Sequence, residues 1–305
     1  MIISTFFSTK KIVLIRKSTF KLLCTALLLT ALFWLFNFYK TTAATYVRME
    51  GLREIRVFST EFPYFSYSVD DSAFSVLTEK KLLYKTTSPL TGMSDYDQYS
   101  FAFLYDEEEQ IVFYYSPTLN KVYNKEHLLE PSHDLKEVLL DLAALYEQEV
   151  KIKYGALLVW EEVDKVFPMF AVAKITDIYT GATFYVQRRE GCSHVDAQPL
   201  TAEDTAIMKQ IFDGRWTWDR KGIVVEVGGH RIAASMNGMP HGAGKIDDNN
   251  FPGHFCIHFL GSSIHSGNMD IRHHREILKA AGKLPLGDSD SLPNTTNLNE
   301  EDCIH

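Results

Sequence analysis

The chain has 305 residues, of which 46% are hydrophobic, and its formal net charge at pH 7 is −8. This length and hydrophobic content allow one or two folded domains with substantial cores. The negative charge argues against general nucleic-acid binding, which requires a basic face, and the sequence contains no complete glycine-rich phosphate-binding loop. We therefore expect no nucleic-acid partner.

The first predicted element is a membrane anchor. Residues 22–39 contain no charge, and this run is just long enough to cross the apolar core of a bilayer. Basic residues are frequent before the run, whereas only Lys40 and Arg48 closely follow it. The positive-inside tendency then places residues 1–21 in the cytoplasm and the later domains outside the cell. The sequence predicts a single-pass protein of the cell membrane, with cleavage at residues 42–44 as the alternative.

A linker at residues 40–52 is expected to lead into a small α+β domain at residues 53–150. Runs rich in aromatic and β-branched residues predict its strands, which are expected at 55–58, 62–69, 99–105 and 111–115. Apolar residues recur at three- and four-residue spacing over 135–145, which predicts a helix capped by Ser132 or Asp134. No catalytic constellation is recognisable in this domain.

Residues 155–282 are predicted to form a second, mainly β domain with a few helices, followed by a disordered polar tail at 283–305. Turn residues separate strand candidates at 171–178, 183–188, 223–227 and 231–236, and helices are expected at 161–166, 201–212 and 270–281. The predicted fold class is therefore α+β, with an N-terminal transmembrane helix, a small α+β domain and a mainly β domain.

The strongest functional signal lies in the segment 254–259. If this segment is a strand, three apolar residues face one way, and His254, Cys256 and His258 face the other. A thiol flanked by imidazoles can be deprotonated near neutral pH, and the thiolate is the nucleophilic form. A further imidazole, His241, lies fifteen residues upstream, across a polar loop. The sequence therefore predicts a Cys/His acyl-transfer centre.

His194 and Asp196 are the supporting candidates. On an extended segment the two side chains share a face, and a carboxylate can orient an imidazole, so a catalytic role and a structural hydrogen bond are equally compatible with the pattern. The same pair together with His254 is an alternative zinc site that leaves one coordination position for water. Cys256 has its own alternative, because an oxidising setting would permit a disulfide with Cys192 and abolish the nucleophile.

The segment resembles the catalytic signature of the YkuD-type L,D-transpeptidases, in which a His-Gly pair and a variable spacer precede Ser/Thr-His-Gly-Cys. Here His241 and Gly242 match the first part, and His254 and Cys256 match the second. The resemblance implies that Cys256 is the nucleophile, that His241 takes its proton, and that His254 shapes the environment of the thiolate and the oxyanion. It requires no cofactor.

Three positions depart from that signature. Gly253 stands where the family has serine or threonine, Phe255 stands where it has glycine, and His258 stands where arginine or asparagine is usual. A longer stretch, 160–281, resembles a domain of uncharacterised exported Firmicutes proteins that are often joined to wall-binding modules. Together the two resemblances imply an envelope protein that performs acyl transfer on peptidoglycan stem peptides. A zinc-dependent wall peptidase and a non-catalytic wall-binding or structural module stay open as alternatives.

Overall fold

The computed structural model describes residues 28–32, 44–69, 82–90, 98–105, 110–264 and 267–287. Its first unit is one eight-stranded antiparallel sheet. The strands are β1 (Thr45–Tyr46), β2 (Leu52–Ser59), β3 (Ser66–Val69), β4 (Leu83–Pro89), β5 (Tyr99–Tyr105), β6 (Gln110–Ser116), β7 (Lys121–Tyr123) and β8 (His127–Pro131). Across the sheet they run in the order β1-β4-β8-β7-β6-β5-β2-β3.

One long helix, α1 (His133–Lys153), covers this sheet. Ser132 caps the helix, as predicted, because its hydroxyl accepts a hydrogen bond from the backbone N–H of Leu135. The buried side of α1 packs with apolar residues of the strands into one hydrophobic core, and its own contribution consists of Leu135, Val138, Leu139, Leu142, Ala143, Tyr146 and Val150. The predicted helical spacing is thus the spacing of the buried face.

The second unit is a closed barrel of six antiparallel strands in the order β10-β11-β14-β13-β12-β9. These strands are β9 (Val172–Asp177), β10 (Thr183–Glu190), β11 (Val195–Pro199), β12 (Thr217–Val227), β13 (His230–Gly238) and β14 (Phe255–His258). Three further helices accompany the barrel: α2 (Trp160–Val166), α3 (Ala202–Ile211) and α4 (Ile271–Ala280). Closure pairs every barrel strand on both sides and leaves no open sheet edge.

The alternation predicted for β14 is confirmed. Phe255 and Ile257 belong to the hydrophobic core of the barrel and are fully buried. Cys256 and His258 alternate with them and are also buried, because α4 packs over this part of the barrel and stacks His273 on His258. A strand that is buried on both faces places its polar residues in a protein environment instead of in water.

The predicted α+β class is wrong, because the described chain is mainly β and its helices cover two sheets. In the first sheet the sequence did not indicate β4, β7 and β8, which are short or largely polar, and β1 falls within the predicted linker. In the barrel it did not indicate β11. Such segments lack a continuous apolar pattern; β1, β4 and β8 become strands through pairing with distant segments, and β7 forms a short hairpin with β8. Sequence reasoning therefore underestimated the first sheet.

The predicted N-terminal transmembrane helix falls mostly on residues that the structure does not describe. In the part of the chain that the structure describes, no helix has the length and apolar character that crossing a bilayer requires. Of the predicted span 22–39, residues 28–32 are described and are helical. The rest of that span, the segment 1–21 and residues 288–305 of the predicted tail lie outside the described residues.

Candidate functional site

The sequence-predicted nucleophile and base lie together at one end of β14. The Sγ atom of Cys256 is 3.2 Å from Nε2 of His241. On the other side of the ring, Nδ1 of His241 is 2.8 Å from the carbonyl oxygen of Met239. A carbonyl can only accept a hydrogen bond, so Nδ1 carries the proton of the neutral ring and Nε2 presents its lone pair to the sulfur. His241 is thus in the tautomer that a general base for the thiol requires.

The electrostatics of His241 favour the same role. Burial lowers the pKa of His241 below its ordinary value, and the hydrogen bond to Met239 opposes this effect without overcoming it. The imidazole is consequently neutral near pH 7 and able to receive a proton. The indole ring of Trp218 packs against it, with ring centroids 5.0 Å apart. One face of the base is therefore covered by an aromatic side chain.

Two glycines hold His241 against the start of β14. The backbones of His241 and His254 exchange hydrogen bonds of 2.9 and 2.8 Å, and their rings meet edge to face. Gly253 has φ +95°, and a Cβ there would lie 2.3 Å from the carbonyl oxygen of His241. Gly242 has φ +59°, and its Cβ would lie 2.3 Å from Cε1 of His254. Both positions require glycine for conformation and for space, which explains why no serine or threonine precedes His254.

Asp196 lies opposite Cys256 in the β11–β14 ladder and organises the other imidazoles. Its Oδ1 atom is 3.2 Å from Nε2 of His194, 3.7 Å from Nε2 of His254 and 3.9 Å from the sulfur. Burial raises the pKa of Asp196, but the hydrogen bond and charge of His194 and the charges of His254 and His241 outweigh it and hold the pKa below its ordinary value. Asp196 is therefore a carboxylate at neutral pH.

The far nitrogens of these two imidazoles both face backbone carbonyls. Nδ1 of His194 is 2.9 Å from the oxygen of Ser263, and Nδ1 of His254 is 3.0 Å from the oxygen of Ala243. Each ring in its neutral form therefore has its proton on Nδ1 and a lone pair on Nε2, directed at Asp196. An attractive contact with the carboxylate requires a second proton on Nε2 or a cation between the two groups.

Three buried histidines form a stack behind the sulfur. The rings of His194 and His258 are 4.6 Å apart, and those of His258 and His273 are 3.9 Å apart, both nearly parallel. Burial is the main cause that lowers the pKa of His258 and of His273 well below the ordinary value, so both are neutral at pH 7. Nδ1 of His273 lies 2.8 Å from the hydroxyl of Ser235.

Sequence reasoning did not identify His273 as part of the site. In the structure, α4 buries His273 against the barrel together with Ile277 and Ala280. The spacing of these three residues is that of one helix face, and this was the signal that could have identified His273. His274, its neighbour in sequence, is only half-buried.

The residues that could bind a metal ion in the structure differ from the predicted set. Among the described residues, the ligand atoms of His194, Cys256 and His258 all lie within 4.8 Å of one another. Nitrogen and sulfur donors of this kind suit zinc. In the predicted alternative set, His194 and His254 each approach Oδ1 of Asp196, but the three ligand atoms are not among those that the described residues bring together in this way. The alternative disulfide does not form, since Cys192 is exposed and is not bonded to the buried Cys256.

Access to the sulfur comes from one side. Cys256 is 3% exposed, and His194, His258 and His273 are equally buried. His241 and His254 are partly exposed, and the loop at 242–245 reaches solvent. The side of the site nearest to solvent is therefore the side of these two histidines and the loop.

Comparison with known proteins gives no assignment, because no family model, no curated protein and no solved structure matches the chain. A function for this chain is therefore inferred from the geometry of the site. The resemblance of the motif to the L,D-transpeptidases stays a prediction.

Proposed function

We propose that the barrel domain is a cysteine-dependent acyltransferase that resembles the L,D-transpeptidases and acts on peptidoglycan stem peptides. The observation that supports this function most strongly is the contact of 3.2 Å between the Cys256 sulfur and Nε2 of His241. Its partner contact, between Nδ1 of His241 and Met239, supplies the orienting group that nucleophile–base pairs commonly have. The class of substrate comes from the sequence resemblance, and the thiol chemistry comes from these contacts.

The reaction begins with transfer of the thiol proton from Cys256 to Nε2 of His241. The thiolate attacks the carbonyl carbon of a peptide bond next to a D-residue, and the electrons of the carbonyl move to its oxygen. When the tetrahedral intermediate collapses, the C–N bond breaks and the leaving amine takes the proton from His241. A thioester remains on Cys256, and an acceptor amine or water resolves it with His241 again serving as the base.

The negative charge of Asp196 opposes formation of the thiolate. A carboxylate 3.9 Å from the sulfur repels a thiolate unless its own charge is compensated. His194 and His254, both directed at the same carboxylate oxygen, provide that compensation when they are protonated. We therefore assign to His194, His254 and Asp196 the role of setting the charge around the thiolate, and to His258 the role of closing the site on its buried side.

Thiol labelling with a built-in control tests this proposal. The purified full chain is treated with iodoacetamide at pH 7, and the modification of Cys256 and of the exposed Cys192 is followed separately by peptide mass spectrometry. The proposal predicts that Cys256 reacts and that His241→Ala slows its reaction about tenfold or more, since general-base assistance is typically worth this much. The rate at Cys192 should not change. Labelling of Cys192 without labelling of Cys256 in the wild-type chain would contradict the proposal and leave the zinc-dependent peptidase and the non-catalytic module as candidates.

A zinc-dependent wall peptidase is the second candidate function, and the convergence of His194, Cys256 and His258 supports it. Ligand atoms of a tetrahedral zinc site lie about 3.5 Å apart, so modest side-chain rotations would complete a site with three protein ligands and one position for water. A sulfur bound to zinc is not available as a nucleophile, so the two candidates exclude each other. Metal analysis of the purified chain distinguishes them, because only the peptidase requires stoichiometric zinc.

A further inference from the structure

Asn237, near the end of β13, is a polar residue to which the proposed reaction assigns no role. The antiparallel register of β13 and β14 pairs Met236 with Ile257. Continued by one residue, this register brings Asn237 beside Cys256. Residues that lie opposite each other in an antiparallel pair have Cβ atoms about 4.5–5.5 Å apart. The two side chains are therefore immediate neighbours if they share a face of the sheet.

Both side chains lie on the face of the barrel that α4 covers. Asn237 is two positions from Ser235, whose hydroxyl contacts His273 of α4, so strand alternation puts Asn237 on the same face. Cys256 is likewise two positions from His258, on which the ring of His273 stacks. The amide of Asn237 and the thiol of Cys256 are therefore adjacent on one face of two neighbouring strands.

The side-chain oxygen of Asn237 is an unsatisfied polar atom in the protein interior. Asn237 is 1% exposed, and within the described ranges its Oδ1 atom has no hydrogen-bond partner. A buried polar atom without a partner costs stability, which a role in binding or catalysis would explain. A half-turn about the last side-chain bond exchanges this oxygen for the NH2 group, and no partner holds the oxygen in place. The amide can therefore direct a donor toward the space beside the sulfur.

Acyl transfer at Cys256 requires a donor in this space. Attack of the thiolate turns the carbonyl oxygen of the substrate into an oxyanion, attached to the carbon that the sulfur has bonded. Asp196, which lies opposite Cys256 on the other neighbouring strand, is a carboxylate and cannot donate to it. β14 is an interior strand, and the backbone N–H groups of such strands bond to their neighbours. A side-chain amide beside Cys256 can supply the donor.

We propose that Asn237 is a catalytic residue, whose side-chain NH2 group donates a hydrogen bond to the oxyanion of the tetrahedral intermediate on Cys256. No bond to Asn237 forms or breaks, and the amide keeps both of its protons. This role rests on the proposed function, because only attack on a carbonyl group creates an oxyanion. Side-chain amides serve as oxyanion donors in acyl transfer, and loss of one donor lowers the rate by about 10²–10³-fold.

Two reactions of the same thiol distinguish an oxyanion donor from a group that stabilises the thiolate. Iodoacetamide alkylates the sulfur by displacing iodide and creates no oxyanion, whereas p-nitrophenyl acetate acylates the sulfur at a carbonyl carbon. Peptide mass spectrometry follows both products on Cys256 in the purified full chain. Asn237→Leu, which keeps the volume but removes the amide, should slow acylation about tenfold or more and change alkylation less than about twofold. Asn237→Ser, which keeps a hydroxyl donor, should retain part of the acylation rate.

Thr205→Val is the matched control. Thr205 is buried on α3, and its Oγ1 atom likewise has no hydrogen-bond partner in the part of the chain that the structure describes. The substitution removes a comparable group away from the thiol, so it should change neither rate. Thermal unfolding followed by circular dichroism checks that each variant is folded, and Asn237→Ala provides the same comparison if the leucine side chain does not fit.

Equal slowing of both reactions by Asn237→Leu would overturn the proposal, because the amide would then act on the thiolate or on the fold. An unchanged acylation rate would overturn it as well. In both cases Cys256 is still acylated in the wild-type chain, so the proposed function survives. Failure of the proposed function gives a different result, since Cys256 is then not acylated in the wild-type chain, and the role of Asn237 fails with it.

Discussion

Gly253→Ala should separate His241 from the start of β14. The new Cβ would lie 2.3 Å from the carbonyl oxygen of His241 and 2.8 Å from that of Gly242, and both are backbone atoms that cannot rotate away. A non-glycine residue in the left-handed region costs roughly 1–2 kcal/mol. The two backbone hydrogen bonds between His241 and His254 are worth about 0.5–1.5 kcal/mol each. We therefore expect the free energy of unfolding to fall by about 2–5 kcal/mol.

Gly181→Ala is the matched control for this substitution. Gly181 has φ +73°, but a Cβ there would meet no heavy atom within 4 Å. Its substitution should therefore cost only the conformational part, roughly 1–2 kcal/mol. Urea unfolding followed by circular dichroism measures both changes. If the two variants lose the same free energy, the close approach of the loop to β14 is wrong.

The same pair of variants reports on the coupling of base and nucleophile. In the wild-type chain and in Gly181→Ala, His241→Ala should slow iodoacetamide labelling of Cys256 by the same factor. In Gly253→Ala the imidazole has already moved, so His241→Ala should change the labelling rate by less than about twofold, as a double-mutant cycle for a lost contact requires. A full His241 effect in Gly253→Ala would refute the assignment of this glycine as the support of the base.

Three further predictions concern the buried groups around the site. His273→Leu should lower the free energy of unfolding by about 1–3 kcal/mol, measured in urea, because it leaves the hydroxyl of Ser235 without the imidazole nitrogen 2.8 Å away. The pKa values of His258 and His273 in the folded chain lie well below the ordinary value of 6.5, so the unfolded chain binds protons first as the pH falls. These groups should therefore not affect the free energy of unfolding above about pH 7. Below pH 6.5 the free energy of unfolding should decrease by up to roughly 1.4 kcal/mol per pH unit for each histidine. A free energy of unfolding that does not change between pH 7 and 5 would contradict the buried stack. Asp270→Ala should destabilise by about 3 kcal/mol or more, since it leaves the buried Arg220 without its partner and removes the cap of α4. Asp270→Asn, which keeps a capping oxygen, should cost less in the same measurement.

Local patterns in the sequence predicted the central part of the site. The alternation over 254–259 indicated a strand with Cys256 on one face, and β14 confirms it. The polar loop before it allowed His241 to return to the strand, and the structure places its ring against the sulfur. The pair of His194 and Asp196 was predicted from a spacing of two residues, and the side chains do approach each other. The strand and the pair of His194 and Asp196 needed only neighbours in sequence, whereas the role of His241 as the base was implied by the resemblance of the motif.

Features that depend on distant segments could not be predicted in the same way. His273 joins the site because α4 packs over β12 and β13, and nothing within α4 specifies which strand its buried face meets. The carboxylate Asp196 approaches Cys256 through a ladder between segments sixty residues apart. The extent of the first sheet escaped detection because a largely polar strand such as β4 gains its hydrogen bonds by pairing with the distant strand β8.

Intact-mass analysis of the full chain after incubation with an N-acylated stem tetrapeptide tests the central claim most directly. Our account predicts an acyl adduct that peptide mapping locates on Cys256, that disappears in Cys256→Ser and that forms far more slowly in His241→Ala. An unmodified Cys256 at saturating peptide, or an adduct that persists in Cys256→Ser, would contradict the assignment of Cys256 and His241 as nucleophile and base.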